Sequence, residues 1–107
     1  MEVFVAYVGD PDFHDGHVFR VSVESGKVEV IVEGYSGRQY VVSFDGVEAV
    51  SMNSPVGMEL YSLSEMQATP PLRKFVSNSD DDDPSTLSVT ARDFSLLISG
   101  PEAFQVP

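Results

Sequence analysis

Between His17 and Met52, apolar and polar side chains alternate almost without a break, and glycines interrupt the runs. Phe19, Val21 and Val23 alternate with Arg20, Ser22 and Glu24. Val28, Val30 and Val32 alternate with Glu29, Ile31 and Glu33, and Tyr40, Val42 and Phe44 with Val41 and Ser43. A period of two sends successive side chains to opposite faces of a strand, so these runs predict half-buried β-structure. The strands fall near 17–24, 28–33, 38–44 and 47–52. Ser25-Gly26, Gly34-Tyr35-Ser36-Gly37 and Asp45-Gly46 separate them, each short enough for an antiparallel hairpin. Asp45-Gly46 carries the strongest hairpin signal, because a type I′ turn needs positive φ at both central positions. Sequential antiparallel strands usually pair, so these four are expected to form a central meander.

Outside this region the pattern is sparser. Residues 2–8 are apolar and β-branched enough for a strand at a sheet edge, ended by Gly9-Asp10-Pro11-Asp12. Asn53-Ser54-Pro55-Val56-Gly57 makes a second break. Residues 58–66 stay open between two periods: Leu60, Leu63 and Met66 have helical spacing, whereas Met58 and Leu60 have strand spacing. A short strand running into a helical turn satisfies both, and Pro70-Pro71 ends it. Strands near 72–77, 86–92 and 94–99 complete the chain. About seven to nine short strands with closely spaced turns define an all-β fold, a small antiparallel β-sandwich or open barrel. The inward set expected from alternation is Phe19, Val21, Val23, Val28, Val30, Val32, Tyr40, Val42, Phe44, Phe75, Leu87, Val89 and Leu96.

Length and composition narrow the function classes. The 107 residues fit a single domain, 1–107, with 42% apolar content. A chain of this size buries roughly 65% of its unfolded surface, enough for one core. Cysteine is absent, which excludes disulfides, thiolate zinc sites and thiol nucleophiles. The first residues carry no basic segment, and no apolar run approaches the roughly 20 residues of a membrane-spanning helix, so a cytoplasmic location is expected. Seventeen acidic residues against six basic ones give a net charge of −11. That sign opposes nucleic acid and anionic membranes, and leaves a basic protein or a hard cation as partner.

Candidate chemistry is confined to turns. His14-Asp15-Gly16-His17 gathers two imidazoles and a carboxylate, and His14 and His17 are donors that suit zinc. A third and fourth ligand cannot be named, so an exposed turn before a strand is the expected structure. Asn78, Asp80 and Asp82 reproduce the alternate spacing of the first calcium-loop ligands. The required glycine is replaced by Asp83 and the bidentate glutamate by Val89, which makes a solvated acidic turn the expectation. His14, His17, Asp80 and Asp82 are therefore the candidate metal ligands. Gly34-Tyr35-Ser36-Gly37 lacks one spacer of a nucleophile elbow and joins two strands, so it predicts a turn. No acid–base pair, nucleophile or cofactor motif is present, and neither catalysis nor a cofactor is expected. Arg73 and Lys74 are expected to neutralise neighbouring acids across strands, and Tyr35 and Tyr61 are candidate aromatic contacts to a sugar or a protein.

The segments Phe13-His14-Asp15-Gly16-His17-Val18, Tyr35-Ser36-Gly37-Arg38, Gly57-Met58-Glu59-Leu60-Tyr61 and Pro70-Pro71-Leu72-Arg73, with the valine-rich strands between, resemble small uncharacterised bacterial all-β proteins. Some immunity proteins that neutralise contact-delivered toxins are similar in size, acidity and a His-Asp turn before the first long strand. The resemblance implies a bacterial cytoplasmic binding protein and carries over no functional residue. The resulting expectation is a non-enzymatic interaction domain whose acidic surface engages a basic protein. Asp80, Asp81, Asp82, Asp83 and Asp15, with Asp10 and Asp12, would steer the encounter. A metal- or small-ligand-binding β module is the alternative, and an edge strand at residues 2–8 offers a route to a homo-oligomer.

Overall fold

In a computed structural model of the chain, residues 3–79 and 84–99 are described. Their strands are β1 (Phe4–Tyr7), β2 (His17–Glu24), β3 (Lys27–Glu33), β4 (Gln39–Asp45), β5 (Ala49–Asn53), β6 (Leu60–Met66), β7 (Arg73–Ser79), β8 (Thr86–Ala91) and β9 (Asp93–Ser99). A single 3₁₀ turn, Pro11–Phe13, lies between β1 and β2. The strands form two antiparallel sheets packed as a sandwich, ordered β1-β6-β7-β8-β5 and β2-β3-β4-β9. The chain is all-β, as the alternation requires, and the sheets do not close into a barrel.

The meander runs through β2, β3 and β4 and then stops. The four-stranded sheet takes β9 beside β4, whereas β5 crosses over and pairs with β8. Asp45-Gly46, expected to close a hairpin, instead carries the chain between sheets. Gly46 has φ +64°, Asp45 lies outside the positive-φ region, and the Asp45 and Gly46 carbonyls accept from the Arg92 amide. The reason is burial. β9 places Phe94 and Leu96 against the core over seven paired residues, whereas β5 pairs over five and leaves only Val50 packed inward. The better apolar pairing takes the place beside β4.

Three β-bulges explain where alternation misreads the chain. The ladders shift between Phe4 and Ala6, between Val18 and Arg20, and between Leu60 and Ser62. A bulge sets two residues opposite one and re-aims a side chain, turning a local period of two into three. Val18 and Val21 therefore both pack on the core, while Phe19, expected inside, is 45% exposed. Val23 faces the inner side opposite Val28 but is exposed at the end of edge strand β2. Leu60 and Leu63 are both buried for the same reason, so their helical spacing reports a bulged strand and no helical turn forms there. The unpaired residues at the three bulges are Val5, Phe19 and Tyr61, all large and all exposed.

The core is otherwise the expected one, with Val28, Val30, Val32, Tyr40, Val42, Phe44, Phe75, Leu87 and Val89 buried. Alternation did not reveal Phe13, Val18, Met58, Leu60, Leu63 and Ala91, which are buried with them. Phe13 enters from the 3₁₀ turn and meets Tyr40 edge-on at 5.2 Å between ring centroids. Arg73 is held by Glu65 through two bonds of 2.9 Å, and its guanidinium carbon lies 5.2 Å from the Phe75 ring centroid. Its neutralising role is thus across β6 and β7, on Glu65. Glu65 is held below the usual carboxylate range by its bonds to Arg73.

Candidate partner-docking site

The corner between β1 and β2 is built on two aspartates. Asp10 caps the 3₁₀ turn, its Oδ1 accepting from the Asp12 amide at 2.8 Å, and Pro11 supplies the fixed φ of the first position. Asp12 then ties the turn to the β3–β4 hairpin. Its carboxylate accepts from the Ser36 amide at 3.0 Å, the Ser36 hydroxyl at 2.6 Å and the Tyr40 hydroxyl at 3.0 Å, and its carbonyl accepts from the Tyr35 amide. Gly34-Tyr35-Ser36-Gly37 is accordingly a hairpin connection, and its serine hydroxyl is engaged by Asp12.

These bonds set the protonation behaviour of the corner. The Ser36 hydroxyl, more than any other group, holds Asp12 below the usual carboxylate range. The stability contributed by that shift is present above the ordinary aspartate range and is lost as pH falls through the folded value. Tyr40 moves the other way: burial first, and then its bond to Asp12, push its hydroxyl from an ordinary 10 to about 12. The folded state thus holds the phenolic proton more tightly than the unfolded chain does. Its contribution is complete below pH 10 and is lost as pH rises to about 12. Urea unfolding across this window should show native stability falling by up to about 2 kcal/mol, with most of that fall missing in Tyr40→Phe. Equal alkaline losses in the two proteins would show that Tyr40 does not govern the transition.

The candidate metal donors do not come together. His14 Nδ1 lies 3.6 Å from Asp15 Oδ2, and His17 Nε2 lies 3.3 Å from Glu33 Oε1, so each imidazole faces its own carboxylate. No cluster of three metal-ligating side chains forms among the described residues. Asp80, Asp81, Asp82 and Asp83 fall outside the described residues. Asp15, at φ +67°, occupies the left-handed position of the corner, and its side chain is 66% exposed.

What the corner does create is an aromatic cleft of about 390 Å³. Tyr7 from β1, Asp10 and Pro11 from the turn, His14 beyond it, and Tyr61 and Leu63 from β6 line it. Tyr7 is 70% exposed and Tyr61 58%. The His14 ring packs on Tyr61 with centroids 4.7 Å apart, and Phe4 packs on Tyr7 at 4.8 Å. The bulge at Tyr61 turns this ring out of the sandwich and into the cleft wall. Tyr61 was a candidate aromatic contact in the sequence; Tyr35 is exposed on the β3–β4 hairpin and does not line the cleft. Asp10 reads in the sequence as a turn residue and a steering acid and Pro11 as a breaker, while Tyr7 carries no individual signal; only the fold brings β1, the turn and β6 together.

Beside the cleft, β1 forms the edge of the five-stranded sheet and, among the described residues, pairs with β6 alone. Val3, Phe4, Val5 and Tyr7 are all exposed along it. Natural edge strands are blunted by lysine, proline, an inward charge, a bulge or shortness; residues 3–7 contain none of the first three, and the bulge in the four-residue β1 leaves Val5 exposed. No described helix is long and apolar enough to cross a membrane. No protein family, curated protein or solved structure matches the chain.

Proposed function

We propose that this chain is a non-enzymatic interaction module that receives an extended, basic segment of a partner protein along β1. The observation that carries the reading is an exposed apolar edge strand, bare of charge and proline, on a molecule of net charge −11. Backbone hydrogen bonds to an open edge supply affinity without demanding a sequence, and the side chains beside it supply selectivity. Two copies of so acidic a chain repel one another, so the charge favours a basic partner over self-pairing. Asp10, Asp15 and Glu59 add negative charge at the β1–β2 corner and the start of β6, where they would steer a cationic segment. The immunity-like form of this reading is a cytoplasmic bacterial domain that occludes the basic cleft of a toxin.

The test is capture from a native lysate at low and high salt, run beside a Val5→Lys chain. Val5 is unpaired at the β1 bulge and exposed, so lysine there leaves the fold intact and places a like charge against a basic partner. A basic protein should be retained at low salt, with association slowed by about tenfold at high salt, and lost with Val5→Lys. Equal retention by both chains, or sedimentation of the native chain as a β1-paired dimer, would overturn the reading.

A further inference from the structure

We infer that the cleft between Tyr7 and Tyr61 is a binding site for a guanidinium head group, contributed by an arginine of the partner segment that pairs along β1. The inference rests on the docking role of β1 and adds the side chain being recognised. Three properties of the cleft point to a cation. Its walls are aromatic, and a ring face attracts a cation through its quadrupole, most effectively when water is partly displaced. Asp10 stands at its edge with Oδ1 engaged by the Asp12 amide and Oδ2 without a hydrogen-bond donor among the described residues. No lysine or arginine lines it. A neutral apolar ligand would have no use for the carboxylate, and an anion would be repelled by it.

The size and place agree with this assignment. About 390 Å³ lies in the range of small-ligand sites and is roomy for one planar head group stacked on a tyrosine. Tyr7 belongs to both the cleft and β1, so a strand laid along β1 passes the mouth of the cleft at that residue. Guanidinium is favoured over ammonium because it is planar, weakly hydrated and able to stack while donating to a carboxylate. Pro11 and the His14–Tyr61 contact hold the walls in place before any ligand arrives.

The probes are Nα-acetyl-arginine methylamide and its citrulline counterpart, a neutral urea of nearly the same shape. Amide chemical shifts of the full chain are followed during titration of each probe at low salt. The arginine probe should perturb Tyr7, His14 and Tyr61 and bind at least about fivefold more tightly than the citrulline probe. Tyr61→Ala should weaken it by about fivefold, and Asp10→Asn, which keeps the cap but removes the charge, by a similar factor. Tyr35→Ala, at an exposed tyrosine outside the cleft, should leave it unchanged. Equal binding of the two probes, no shift at the cleft residues, or an equal loss with Tyr35→Ala would each overturn the assignment. If the partner is still captured in a Val5-dependent manner in those cases, the docking role stands and only the arginine site falls. Arginine binding in the cleft with capture indifferent to Val5 would instead overturn the partner segment as its source.

Discussion

Phe75→Ala is expected to lower the unfolding free energy by about 4 kcal/mol, the largest loss of any single truncation in this core. Phe75 is 1% exposed and joins the two sheets through rings. Its centroid lies 5.0 Å from Phe94, nearly stacked at 22°, and 5.1 Å from Phe44, while Phe44 and Phe94 are 5.7 Å apart. Phe75 comes from β7 of one sheet, Phe44 and Phe94 from β4 and β9 of the other. Truncation removes the only member of the triad on its sheet and leaves a cavity that backbone on either side cannot close. It also strips the ring from beneath the Arg73 guanidinium. Domains of this size have stabilities of about 5–15 kcal/mol, so the variant should retain a folded state but with a much earlier urea midpoint. Phe75→Leu, which keeps most of the volume, should lose less than half as much. A loss below about 1 kcal/mol for the alanine variant, at unchanged denaturant slope, would mean that the sheets collapse onto the gap.

The parts of this fold that could be read from the sequence share one property: they depend on neighbours in the chain. β2, β3 and β4 alternate regularly, and their hairpins at Ser25-Gly26 and residues 34–38 join adjacent elements. The edge position of β1 also followed from its short, unpatterned apolar run. Misreadings cluster where a distant element decides. β5 and β9 compete for one place beside β4, and burial across the sandwich settles the competition. The bulges at Val5, Phe19 and Tyr61 leave no residue signature beyond a broken period, which in 58–66 looks like a helix. Phe13 reads as part of a polar turn because the cap that folds it inward, Asp10, is itself a common turn residue. The docking corner was harder still. His14, Asp15 and His17 attracted attention as possible ligands, yet the structural work there falls to Asp12, which joins the turn to Ser36 and Tyr40, residues more than twenty positions away. Tyr7 and Tyr61 line one cleft only because β1 pairs with β6, a pairing that sequence spacing does not encode.

Gly16 shows how a residue can be noticed for one reason and required for another. In the sequence it is a flexible point between two histidines. In the structure the left-handed conformation belongs to its neighbour Asp15, at φ +67°, while Gly16 has no positive φ and is buried. Its requirement is close approach. A Cβ added there would sit 2.5 Å from the Glu33 carbonyl oxygen, 3.0 Å from the Gly34 Cα and 3.1 Å from the Phe13 carbonyl oxygen, all main-chain atoms. Backbone cannot rotate away as a long side chain can, so Gly16→Ala must push the corner off the β3–β4 hairpin. The Gly16 amide also donates to Phe13 at 2.8 Å, and its carbonyl accepts from Leu60 at 2.8 Å, so the same displacement strains the contact between the two sheets. A loss of about 3 kcal/mol is expected, at the upper end for overpacking because no flexible group can absorb it. Asp15→Gly is the matching control. Glycine takes the left-handed region without the Cβ penalty, so that variant should unfold at the native midpoint or slightly above it. If the two substitutions exchanged places, with Asp15→Gly costly and Gly16→Ala neutral, the corner would owe its shape to the Asp15 side chain. The arginine site gives a second readout: Gly16→Ala shifts His14 relative to Tyr61 and should weaken the guanidinium probe even where the domain remains folded.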